Sequence, residues 1–99
     1  MKKMKFERKR YIAFINFGNL SSEQNFFLLR QKFLQLFGSL SLEEASLAMV
    51  VEKRNIFVVR ANLKFEKQLL FASCYLPLFS IFTTSSVKKA KEKIDYFGK

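Results

Sequence analysis

Residues 83–94 read TTSSVKKAKEKI, in which four hydroxyl side chains run into a segment carrying four lysines and one glutamate. A single hydroxyl is enough to cap a helix, so four in a row are a surplus of donors. A helix start also presents unpaired N–H groups and a partial positive charge, which together suit a phosphate. Lys88, Lys89 and Lys91 add like charge near that positive end, an arrangement an incoming anion would relieve. The chemistry on offer from Ser85, Ser86 and these lysines is therefore anion binding. A purely solvated helix would carry much the same residues, and that reading stays open. A second basic group, Arg8, Lys9 and Arg10, contains two arginines whose planar fork can grip a phosphate at two points; the alternative is a solvated arm. Arg60 stands between Val59 and Ala61 in an apolar stretch. It is either an edge arginine extending its head to water or a guanidinium offered from an open sheet face to a phosphate or carboxylate.

Other chemistries are poorly provided for. The chain has no histidine, and Cys74 is alone within LLFASCYL, so neither an internal disulfide nor a zinc-ligand spacing can be written. Glu43, Glu44 and Glu52 sit on or near a hairpin without a metal-site pattern. No catalytic residue, metal site or protein-bound cofactor is expected, and a small enzyme of acylphosphatase-like or nuclease-like type is disfavoured. The net charge of +10 is concentrated: Lys2, Lys3, Lys5, Arg8, Lys9 and Arg10 at one end, and Lys88, Lys89, Lys91, Lys93 and Lys99 at the other, hold most of the 18 cations. Self-repulsion of this kind points to an anionic partner, nucleic acid ahead of an acidic protein or a membrane surface. MKKMKFERKRYIAF lacks the apolar run of a signal peptide, and no stretch approaches the roughly 18 residues of a membrane span, so a cytoplasmic protein is expected.

These groups must be positioned by one domain, since 99 residues suffice for a single core. Residues 1–9 read as a basic flexible arm and 10–99 as the domain. RYIAFINF (10–17) is rich in β-branched and aromatic residues and predicts a strand, with Ile12 and Phe14 on one face and Tyr11, Ala13 and Ile15 on the other. Ser21 and Gln24 have capping-box spacing, and Phe26, Leu29, Phe33, Leu36 and Phe37 recur at helical period, predicting a helix over 22–37 ended by Gly38. Two strands, about 45–52 and 55–61, form a hairpin with Glu52-Lys53-Arg54-Asn55 at its tip. Asn62 is placed to cap a second helix over about 63–76, which Pro77 stops. A strand over 78–82 and a helix over 85–97, with the apolar stripe Val87, Ala90, Ile94 and Phe97, complete the chain. The order predicts an α+β, ferredoxin-like βαββαβ fold with a four-stranded antiparallel sheet, both long helices on one face, and a C-terminal helix. The other face is expected to be open, with Tyr11, Ile15 and Phe17 meeting a heteromeric partner or a homodimer.

INFGNL (15–20) resembles the first RNA-contacting signature of an RNA-recognition motif, but Asn16 stands where that motif needs an aromatic. The third strand, RNIFVVRA, carries only Phe57, so a base-stacking platform is missing its main rings. A different likeness is closer. RYIAF on the first strand, VVRA on the third, LLFASCYL in the second helix and the closing SSVKKAKEKI resemble, in order and approximate spacing, the ribonuclease P protein component 2 family of archaeal and eukaryotic subunits. The likeness covers about residues 8–97. The family's arginines at the end of the fourth strand and in the second helix are replaced here by Phe79-Ser80-Ile81-Phe82 and Leu69-Leu70, as in a divergent or minimal member. The resemblance implies a non-catalytic subunit of a ribonucleoprotein that matures the 5′ end of precursor tRNA, in which RNA cleaves with bound magnesium. It further implies pairing with a TIM-barrel subunit, ribonuclease P protein component 3. A general RNA-recognition or ribosome-associated module is the alternative.

Overall fold

Three successive side chains, Ile12, Ala13 and Phe14, are buried in the strand Lys9–Asn16 (β1), so apolar material must cover both of its faces. The computed structural model describes residues 8–97 and supplies that cover. β1 lies between β3 (Ile56–Asn62) and β4 (Leu78–Thr84), antiparallel to both, with Lys9 opposite Asn62 and Tyr11 opposite Thr84. β2 (Ala48–Lys53) pairs with β3, giving the sheet order β2-β3-β1-β4. The chain is α+β, with the ferredoxin-like order its sequence predicts.

Helix α1 (Ser22–Phe37) begins at the expected capping box. The Gln24 N–H donates to Ser21 Oγ at 3.2 Å, and the Ser21 N–H donates to Gln24 Oε1 at 3.0 Å. It ends at Gly38, whose φ of 92° is unfavourable for any residue with a Cβ. Leu29 and Phe33 of α1, with Phe65, Leu69 and Ala72 around α3 (Glu66–Ser73), bury Ile12, Phe14, Phe57 and Val59 on one sheet face. The last helix, α4 (Val87–Phe97), covers the other face: Ala90 and Ile94 close over Ala13, Ile56 and Val58. It starts beside the end of β4 and reaches the hairpin tip, where Lys53 Nζ lies 3.2 Å from Asp95 Oδ1, so it crosses the sheet diagonally. Among the described residues no helix is long and apolar enough to cross a membrane.

Several expectations are corrected. A short helix, α2 (Ser39–Ala45), follows Gly38 directly and delays β2 to Ala48, because Leu42 and Leu47 pack onto the core around buried Ala45. Asn62 does not cap α3. Its amide donates to the Glu44 carbonyl and its Oδ1 accepts from Lys9 Nζ, so the chain enters α3 through a 3₁₀ turn at Leu63–Phe65. β4 runs on to Thr84, and α4 therefore starts at Val87 rather than 85. Lys9 belongs to β1, which shortens the expected arm; its residues 1–7, and the side chain of Phe97 in the α4 stripe, lie outside the described residues. The second sheet face is not open, because α4 lies on it.

Replacing Ile94 with alanine removes the larger of the α4 anchors among the described residues. Urea unfolding of Ile94→Ala is expected to show a loss of about 2–5 kcal/mol. An unchanged midpoint would mean that α4 is not held on the sheet.

Candidate nucleic-acid interface

The antiparallel pairing of β1 with β4 decides where the charges go. Because Tyr11 faces Thr84, the residues just before Tyr11 lie beside the residues just after Thr84. Arg8, Lys9, Arg10 and Ser85, with Leu63 from the β3–α3 junction, line one concavity of about 300 Å³. That is the lower end of ligand-pocket volumes, better matched to a passing backbone than to an enclosed metabolite. The Leu63 N–H donates to the Arg8 carbonyl at 2.8 Å and holds this entry to the sheet in place.

The three cations are not equivalent. Arg8 is exposed. Lys9 is half-buried and donates to Asn62. Arg10 Nε lies 3.7 Å from Glu66 Oε1, both side chains being partly exposed, so the contact is a weak one. The hydroxyl run also separates by role. Thr83 and Thr84 are strand residues, and buried Thr84 donates through Oγ1 to the Ser86 carbonyl at 2.9 Å. Ser86 Oγ accepts the Lys89 N–H at 3.4 Å, which makes Ser86 the cap of α4. Ser85 is exposed and lines the concavity, so its hydroxyl is available to a ligand there. Lys88, Lys89 and Lys91 are all exposed on the first two turns of α4.

Arg60 is half-buried in the row Ala48–Arg60–Tyr11–Thr84, two strands from the start of α4, or about 10 Å at normal strand spacing. Its Nε is buried without an acceptor among the described residues. The expectation of a guanidinium on an open face is thus corrected, since the face is covered; the donor instead waits at the margin of the cationic end.

The three residues expected to meet a partner are not brought into one open surface. Tyr11 and Ile15 are half-buried and pack with the cluster beneath α4, whereas Phe17 is 68% exposed at the far end of β1. Sequence reasoning also missed Leu63 and the Glu66 partner of Arg10. The only available signal was the antiparallel partnership of residues near 9 and 62, which requires the register. The assembled groups can hold an anionic backbone through guanidinium, ammonium and hydroxyl donors. No protein-family model matches this chain, and no curated protein matches it.

The two serines should separate in stability measurements. Ser86→Ala is expected to lower unfolding stability by about 0.5–2 kcal/mol through loss of the cap. Ser85→Ala should stay within about 0.5 kcal/mol, as an exposed hydroxyl without a structural role would.

Proposed function

We propose that this chain is a non-catalytic RNA-binding subunit of ribonuclease P, working in the cytoplasm, that braces the catalytic RNA during 5′ maturation of precursor tRNA. The observation that carries the RNA-binding part is the meeting of Arg8, Lys9, Arg10 and Ser85 in one concavity. Lys88 and Lys89 continue the positive surface along α4, and Arg60 adds a buried Nε donor with no acceptor among the described residues. Contacts of this kind grip phosphates and read the shape of folded RNA, not its sequence. The absence of an aromatic platform favours such a mode over base stacking, because α4 occupies the sheet face on which stacked bases would sit. The assignment to ribonuclease P rests on the order of RYIAF, VVRA, LLFASCYL and SSVKKAKEKI along the chain. On that reading the protein partner is the TIM-barrel ribonuclease P protein component 3, reached through exposed Phe17, and magnesium sits on the RNA.

About six phosphate contacts give a strong dependence on salt. Affinity for ribonuclease P RNA is expected to fall roughly a thousandfold between about 50 and 200 mM monovalent salt. The double variant Lys88→Glu with Lys89→Glu should weaken binding further at fixed salt while the far-ultraviolet CD spectrum is retained. Affinity that is flat with salt would remove the electrostatic account. Equal binding to unrelated single strands, with no preference for ribonuclease P RNA, would assign the chain to general RNA recognition instead.

A further inference from the structure

Arg54 stands at the tip of the β2–β3 hairpin with a φ of 56°, in the left-handed region. The tip is a two-residue turn, Arg54-Asn55, between the paired residues Lys53 and Ile56. Hairpins give a first turn position at positive φ to glycine, asparagine or aspartate, because the Cβ of other residues crowds the following carbonyl there. A tolerant residue lies one place away, but Asn55 is committed to the sheet. Its amide donates to the Asn16 carbonyl at 3.3 Å, and its own carbonyl accepts the Asn16 N–H at 2.7 Å. The strained position is left to an arginine that is exposed and whose side chain makes no ion pair or hydrogen bond among the described residues. Backbone strain that brings no contact within the fold points to a contact outside it.

The surroundings indicate the chemistry of that contact. Lys53 Nζ lies 3.2 Å from Asp95 Oδ1, which fixes the tip beside the last turn of α4 and leaves the Asp95 carboxylate already paired. Glu52 stands opposite Phe57 of the α1–α3 core, so strand alternation turns it to the other sheet face. The opposite end of α4 begins at the concavity, and its first two turns expose Lys88, Lys89 and Lys91. At 1.5 Å per residue the 11 residues of α4 separate its two ends by about 15 Å. We propose that Arg54 is the far anchor of the phosphate-binding surface, its guanidinium gripping RNA backbone at the hairpin tip while the concavity grips it at the other end of α4. This rests on the RNA-binding reading and extends it across the sheet. The ties of Lys53 and Asn55 on either side hold the turn, so the root of the arginine is placed before RNA arrives. The planar fork can then give two parallel donors to one phosphate.

Urea unfolding of the full chain without RNA, and titration of ribonuclease P RNA between about 50 and 300 mM salt, test this together. Arg54→Gly and Arg54→Asn both suit positive φ, so the unfolding midpoint should rise. Their affinity should fall about fivefold at about 150 mM salt, the effect of one phosphate contact relative to 1 M salt. The slope of log affinity against log salt should become shallower by about one. Arg54→Lys keeps both the charge and the strain, and should keep the unaltered midpoint and slope. A lower midpoint in both of the first two variants would assign the arginine to the fold. A raised midpoint with an unchanged salt slope would remove it from the RNA. Either result overturns this proposal and leaves the RNA-binding reading standing, whereas salt-independent binding by the unaltered chain would overturn both.

Discussion

Strand β1 is paired on both edges and apolar on both faces, and most of the architecture follows from that constraint. A strand of this kind must lie inside a sheet, and it needs a cover on each side. α1 and α3 supply one cover over Ile12 and Phe14, and α4 supplies the other over Ala13. A one-residue slip in register would exchange the two sets and place Phe14 under the narrow Ala90–Ile94 stripe. Register is therefore strongly specified. The pairing of Tyr11 with both Arg60 and Thr84, which assembles the cationic end, is a consequence of core packing.

Helix α4 links packing to charge. Its buried stripe is narrow, and Ala90, at 0% exposure, lets the helix approach the sheet closely. A narrow stripe leaves most of the helix circumference to polar residues, so Lys88, Lys89 and Lys91 stay in water while the helix is held. Lys93 bends back over the Phe82 ring, 5.5 Å from its centre, in a cation–π contact at the edge of the same cluster. The cap at Ser86 and the Thr84 hydroxyl spend their hydrogen bonds on the turn itself. This divides the hydroxyl run into Thr84 and Ser86, which build the turn and the helix start, and Thr83 and Ser85, which stay exposed.

Gathering cations at one end of the sheet opposes folding through like-charge repulsion, and the chain offsets it only partly. Among the described residues, Glu66 near Arg10 and the Asn62 oxygen on Lys9 are local compensations. Neither neutralises Arg8 or the α4 lysines. An arrangement of this kind is stabilised by a polyanion, which would supply the missing negative charge and release its own counterions on binding. The neutral run from Gln68 to Val87 is the counterpart of that concentration, since charge collected at one end leaves another edge free of it.

The amino-acid order by itself determined the elements whose signals are local. The Ser21–Gln24 capping box, the 3.6-residue recurrence through Phe33 and the apolar alternation of β1 each depend on neighbours a few residues away, whereas the helix expected to run to Pro77 ends at Ser73. Those three signals were legible, as was the βαββαβ order they add up to. Contacts between distant residues were not. Asn62 looks like a cap until the fold brings Glu44 and Lys9 to it, and Thr83 and Thr84 look like helix-start hydroxyls until Tyr11 draws them into a strand. The open sheet face vanished because a narrow stripe, Ala90 and Ile94 among the described residues, docks α4 across it. Which of the basic and hydroxyl residues share a surface was decided only by strand register and helix docking, because those energies arise between segments distant in the chain and leave no trace in local spacing.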